Sequence, residues 1–179
     1  MTFGILLTRW SIRLALLMFA AVLIARCAGQ IRHHRSPAWR SVWTLGWLAF
    51  LVHVLSAFQY FHHWSHRHAI DVTAERTEQL IGWRFGEGLY FSYAFLALWG
   101  IDVLWWWLGG DARYWGFPRI ALTIQSYLAF IAFNGAVVFE AGPVRWGGVA
   151  ATAVLIAVMV RSVLRRRAGT EVGDVEMTA

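Results

Sequence analysis

Five long apolar segments constrain this chain more than any other feature. They cover residues 3–25, 41–61, 88–108, 119–139 and 144–164. Each is near the ~20 residues a helix needs to cross the hydrocarbon core of a bilayer. Backbone inside lipid must satisfy its own hydrogen bonds, so such segments form helices. The expected fold is therefore all-α, a polytopic transmembrane helix bundle of five spans. It forms one unit over residues 1–167, followed by a polar, disordered tail at 168–179. The first segment carries Arg9 and Arg13, and its clean run, Leu14 to Ala25, has the length of a signal-peptide core. No A-x-A-like cleavage site follows it, so a signal anchor or a tilted helix with snorkelling arginines fits better.

Composition agrees. Hydrophobic residues make up 59% of the chain, charged residues 15%, and mean hydropathy is +0.51. A soluble domain is about 45–50% apolar and about 25% charged. All 16 basic residues are arginine, against 10 acids, for a net charge of +6. These arginines sit between apolar segments, so they mark membrane orientation rather than nucleic-acid binding. Arg26, Arg32, Arg35 and Arg40 occupy the first loop, and Arg161, Arg165, Arg166 and Arg167 open the tail. Placing both in the cytoplasm puts the N-terminus outside and gives an inner-membrane, multi-pass protein. Cys27 is the single cysteine, which excludes an internal disulfide, a CxxC zinc ribbon and CxxCH haem attachment. Arg26 before it spoils a lipoprotein cleavage site.

Tryptophan favours membrane interfaces. Trp39, Trp43 and Trp47 fall near one end of the second span, and Trp105, Trp106, Trp107 and Trp115 near the same end of the third. Trp99 is the main exception, lying within the third span. In the second loop, Asp71 is positioned to cap a short amphipathic helix running to Ile81. Its apolar face would hold Ile70, Ala74, Thr77 and Ile81, on the membrane surface or lidding the bundle.

Five of the seven histidines fall between His53 and His68. If the second helix continues to Arg67, His62 and His66 lie one turn apart, with His63 and Gln59 on the same arc of roughly 100°. Imidazoles at i and i+4 can share a metal. Glu87 and Glu140 come to the same depth on the next two spans. Two or three imidazoles with a carboxylate suit zinc or non-haem iron. The same residues also suit a pH-sensitive hydrogen-bond network. His33-His34, in the first loop, reads as an interfacial pair. Deeper in the spans lie His53, Asp102, Gln125 and Asn134, a candidate polar interior track. Asp102 is the only acid well inside a span, so it must be protonated, paired or facing a wet interior. Arg40 is placed to snorkel to it, and Gln125 lies level with it.

HHWSH looks superficially like the histidine boxes of membrane di-iron desaturases, but it stands alone and in the wrong order. Haem between two histidines of one chain is disfavoured, because every deep histidine belongs to the second span. The runs HVLSAFQYFHHWSH, GLYFSYAFLALWGIDVLWWW and FNGAVVFEAGPVRW, within residues 45–148, are similar to uncharacterised multi-pass membrane proteins of planctomycete-type bacteria. That resemblance implies membrane topology and no activity.

Three functions compete. The first is a metalloprotein with His62, His63, His66 and Glu87 or Glu140 as ligands, enzymatic or not. The second is a structural or assembly subunit of a larger membrane complex. Small residues on the fifth span (Gly147, Ala150, Ala153, Ala157) would favour its contact with other subunits or with a second copy. The third is a small oligomeric transporter or proton path through Asp102 and His53.

Overall fold

The computed structural model describes residues 2–29, 37–115, 118–139 and 142–176. Six α-helices follow in order: α1 (Thr2–Cys27), α2 (Pro37–Ala57), α3 (His66–Ile81), α4 (Gly88–Trp115), α5 (Pro118–Phe133) and α6 (Pro143–Glu176). α2 and α5 each end in one π-helical turn, Phe58–His62 and Asn134–Val138. No strand occurs among the described residues. The chain's 3 prolines each occupy the first residue of a helix, α2, α5 and α6. There the missing N–H has no helical partner to lose and the fixed φ suits the first turn.

Among the described residues five stretches are long and apolar enough to span a membrane: Phe3–Cys27, Pro37–His62, Gly88–Gly109, Arg119–Val138 and Val144–Ser162. The first is continuous through Arg9 and Arg13. A single arginine costs a helix little propensity, and its stem lies along the apolar surface. α6 runs on as helix through Glu176, past residue 168. No proline follows Pro143 to stop it.

The core is aromatic. Phe19 of α1, Trp43 and Phe50 of α2, and Phe95 and Trp99 of α4 are all buried and pack ring to ring. Trp43 and Trp99 centroids lie 5.0 Å apart, and Phe50 and Phe95 meet edge to face at 4.8 Å. α1 and α2 lie antiparallel along most of their length. Thr8 Oγ1 reaches Ser56 Oγ at 2.9 Å, and α2 also comes close to α4 where Gly46 faces the Trp99 ring. A Cβ on Gly46 would sit 3.0 Å from that indole, so the close crossing needs glycine there.

The second helix does not continue to Arg67. It stops at His63 and Trp64, both left-handed, with φ of 48° and 58°. Ser65 then caps α3, accepting from His68 N at 3.2 Å. The amphipathic helix of the second loop therefore exists, but it starts at His66 and is capped by Ser65, not by Asp71. Its buried residues are Ala69, Ala74 and Thr77, with Ile70 partly covered; Ile81 is exposed. α3 is tied to the bundle end where Gly86 meets Ile70 and where Arg76 donates to the Phe139 carbonyl at 3.1 Å.

A left-handed residue with a Cβ is strained by about 1–2 kcal/mol. We expect His63→Gly to be more stable than His63→Ala by about 1 kcal/mol in detergent-solubilised unfolding, because glycine alone relieves that strain. Equal stability of the two variants would mean the break does not need the left-handed turn.

Candidate functional site

Among the described residues two polar clusters occur, one at each end of the bundle. The first surrounds Asp102. At the helix ends carrying Arg26, Arg40 and Arg119, Asp102 of α4 is completely buried. Its Oδ2 accepts from Trp43 Nε1 of α2 at 2.9 Å and from Gln125 Nε2 of α5 at 3.0 Å. Arg26 Nη2 of α1 lies 4.0 Å from the same oxygen. One carboxylate thus gathers side chains from α1, α2 and α5 onto α4. The Arg26 guanidinium is held between two indoles, 4.9 Å from the Trp43 ring and 4.8 Å from Trp106. Such faces stabilise a cation away from water.

The level placement of Gln125 with Asp102 becomes a direct hydrogen bond. Arg40 is the cation expected at Asp102, and the structure brings Arg26 there too. Arg26 approaches Asp102, while Arg40 stacks over Trp106 and Trp107 at 5.7 and 5.0 Å. Arg26 closes the apolar run of the first segment, so its depth was readable. Its neighbours were not.

The rest of the polar track does not join this site by the bonds seen. His53 Nδ1 pairs with the Thr8 carbonyl at 2.9 Å, across the α1–α2 seam. It lies ten residues beyond Trp43 on α2, or about 15 Å along the axis. Asn134 donates to the Phe130 carbonyl of its own helix at 2.8 Å, at the start of the π turn.

The second cluster is the histidine end. The break after His62 separates the histidines that a continuous helix would align. His62 packs its ring against Phe58 at 5.5 Å and His68 at 5.6 Å. Its Nδ1 is shut off from solvent and has no hydrogen-bond partner among the described residues. His63 is exposed on the left-handed turn. His66 turns to α4, with Nδ1 3.1 Å from Tyr93 Oη and Nε2 3.4 Å from Tyr90 Oη. Both its ring nitrogens thus face phenols. Glu87 is exposed at the foot of α4, and Glu140 lies outside the described residues, as do His33 and His34. Among the described residues no three His, Cys, Asp or Glu side chains form a metal-holding group. The i, i+4 pairing of His62 with His66 is corrected to a pairing of His62 with His68. His68 comes beside His62 because the chain restarts as α3 at the Ser65 cap, which a continuous second helix does not anticipate.

A third feature is a groove between α1, α5 and α6. It encloses about 570 Å³ and is walled by apolar side chains, with Arg13 among them.

The fold and these sites define a multi-pass helical membrane protein. Compared with protein-family models, curated proteins and solved structures, the chain matches none.

Proposed function

We infer that the protein is a non-catalytic helical subunit of a membrane assembly. The observation that carries this reading is the state of its one acid inside a span. Asp102 is closed to solvent and engaged by side chains from three other helices. A carboxylate held this way fastens helices together and offers no surface to substrate or water. α6 supports the same reading. Its most apolar window has no residue buried within the chain, whereas the other spans bury 17–28% of theirs. Ala150, Ala153 and Ala157 are exposed on it, and small residues let a second helix come close. Arginine placement favours the end bearing Arg26, Arg40, Arg119 and Arg161 as cytoplasmic, in the inner membrane, with the N-terminus outside. The resemblance to planctomycete-type membrane proteins adds no activity to this.

A second reading, a zinc or iron site at the histidine end, is favoured by one observation. The unpartnered Nδ1 of His62 lies beside the His68 imidazole. A metal there would need further ligands from elsewhere.

One preparation separates the two. The untagged protein is extracted from its native membrane in mild detergent. We expect a particle heavier than 20.4 kDa, holding other chains in a fixed ratio. Ala150→Leu with Ala153→Leu is expected to release the single chain. Metal is expected well below one ion per chain. A monodisperse single chain, or one metal per chain lost in His62→Ala, would overturn the subunit reading; the second result would establish the metal reading.

A further inference from the structure

Arg13 stands about 16 Å along α1 from Thr2, near the middle of the 25-residue span Phe3–Cys27. A charge at this depth is costly unless something neutralises it. Its guanidinium lies 5.2 Å from the Trp10 ring centroid and meets no carboxylate among the described residues. It also lines the α1–α5–α6 groove, whose other walls include Ala20, Ala132, Gly148 and Ala151. On α1 the groove runs from Trp10 to Ile24, about 20 Å at the helical rise. The site is thus a long apolar slot with one cation near one end.

We propose that this groove binds one anionic phospholipid, its phosphate on Arg13 and an acyl chain along the slot. The chemistry selects this occupant. A slot of about 570 Å³ at hydrocarbon depth must fill with hydrocarbon, and its small side chains on α5 and α6 leave room for it. Arg13 then demands an anion. A second copy of this chain brings none, because Asp102 is the only acid inside any of the five spans and it is buried. Side chains on a helix lean toward its N-terminus. Arg13 does so, onto Trp10 one turn back, and this carries the guanidinium toward the N-terminal membrane face, from which a phosphate drawn below the interface meets it. A planar guanidinium can then grip a phosphate with two parallel hydrogen bonds. Arg9, one turn further, is exposed and does not line the groove.

The test is native mass spectrometry of the delipidated protein, titrated with phosphatidylglycerol or with phosphatidylcholine of identical chains. We expect one phosphatidylglycerol per chain, preferred by roughly tenfold, the worth of one charge-assisted hydrogen bond. Arg13→Gln should bring phosphatidylglycerol down to the phosphatidylcholine level, and Arg13→Lys should keep part of the preference. Arg9→Gln should leave it intact. Ala151→Phe, which fills the slot, should weaken both lipids alike. Far-UV circular dichroism checks that each variant stays helical. Equal binding of the two lipids, a preference that survives Arg13→Gln, or a lipid-free dimer closing the groove would each overturn the proposal.

Discussion

Asp102→Ala is expected to destabilise the purified protein by about 3–5 kcal/mol, the usual cost of orphaning a buried ionic partner. Two donors lose their acceptor, the Trp43 indole N–H and the Gln125 amide, and the Arg26 guanidinium loses a counter-charge. Lipid around the bundle offers no water to replace it, so the penalty is not relieved by local opening. Asp102→Asn keeps an oxygen for Trp43 and Gln125 and removes only the charge, so it should cost less than the alanine variant. The diagnostic variant is the double one. Arg26→Met in the Asp102→Ala background removes the stranded cation and keeps a flexible apolar stem between the Trp43 and Trp106 rings. It should recover stability, leaving a coupling of at least about 1 kcal/mol in the double-mutant cycle. Denaturant unfolding in detergent, followed by helical signal, measures all four proteins. A proton path would behave otherwise: Asp102→Asn would leave stability untouched and abolish flux across vesicles. Additive losses from Asp102→Ala and Arg26→Met would refute the clamp.

How far the sequence led depends on the dimensionality of each signal. Span positions follow from apolar length alone, a property of the linear chain. The five expected segments accordingly match the spanning helices to within a few residues. Depth is also linear, which is why Gln125 could be set level with Asp102 before any contact was known. Adjacency is not linear. Nothing in the residues near Arg26 or Arg40 says that either stands beside α4; the structure brings Arg26 to Asp102 and Arg40 over Trp106 and Trp107. Nor does the sequence mark the groove, which arises from how α6 sits against α1 and α5. The histidine end failed for a local reason. His63 and Trp64 take the left-handed turn themselves, and no glycine or proline announces the break between α2 and α3. The one available sign was Ser65, a strong cap type, and it was overshadowed by Asp71 six residues on. The π turns at Phe58–His62 and Asn134–Val138 carry no sequence signature of their own.

Trp99 is the main exception to the interfacial belts, and its environment explains why. It is buried against Phe19 of α1, Trp43 and Phe50 of α2, and Phe95 one turn back on α4, with centroids 5.0–6.2 Å away. In lipid the gain from hiding apolar surface from water is absent, so helices cohere through packing. Removing the largest ring at the junction of three helices should therefore be severe. Trp99→Ala is expected to cost about 3 kcal/mol, the lower end for buried Trp truncation. Gly46, which faces the indole, cannot fill the void, having no side chain to move into it. Trp99→Phe tests the cause. It keeps an aromatic face for Phe19 and Trp43 and deletes the indole N–H, which is buried with no hydrogen-bond partner among the described residues. An unpartnered donor costs about 1–3 kcal/mol, so its loss offsets part of the lost volume. The phenylalanine variant should lie within about 1 kcal/mol of the parent, while alanine falls far below. Should both variants unfold at the parent's denaturant midpoint, the aromatic junction would not be what holds α1, α2 and α4 together.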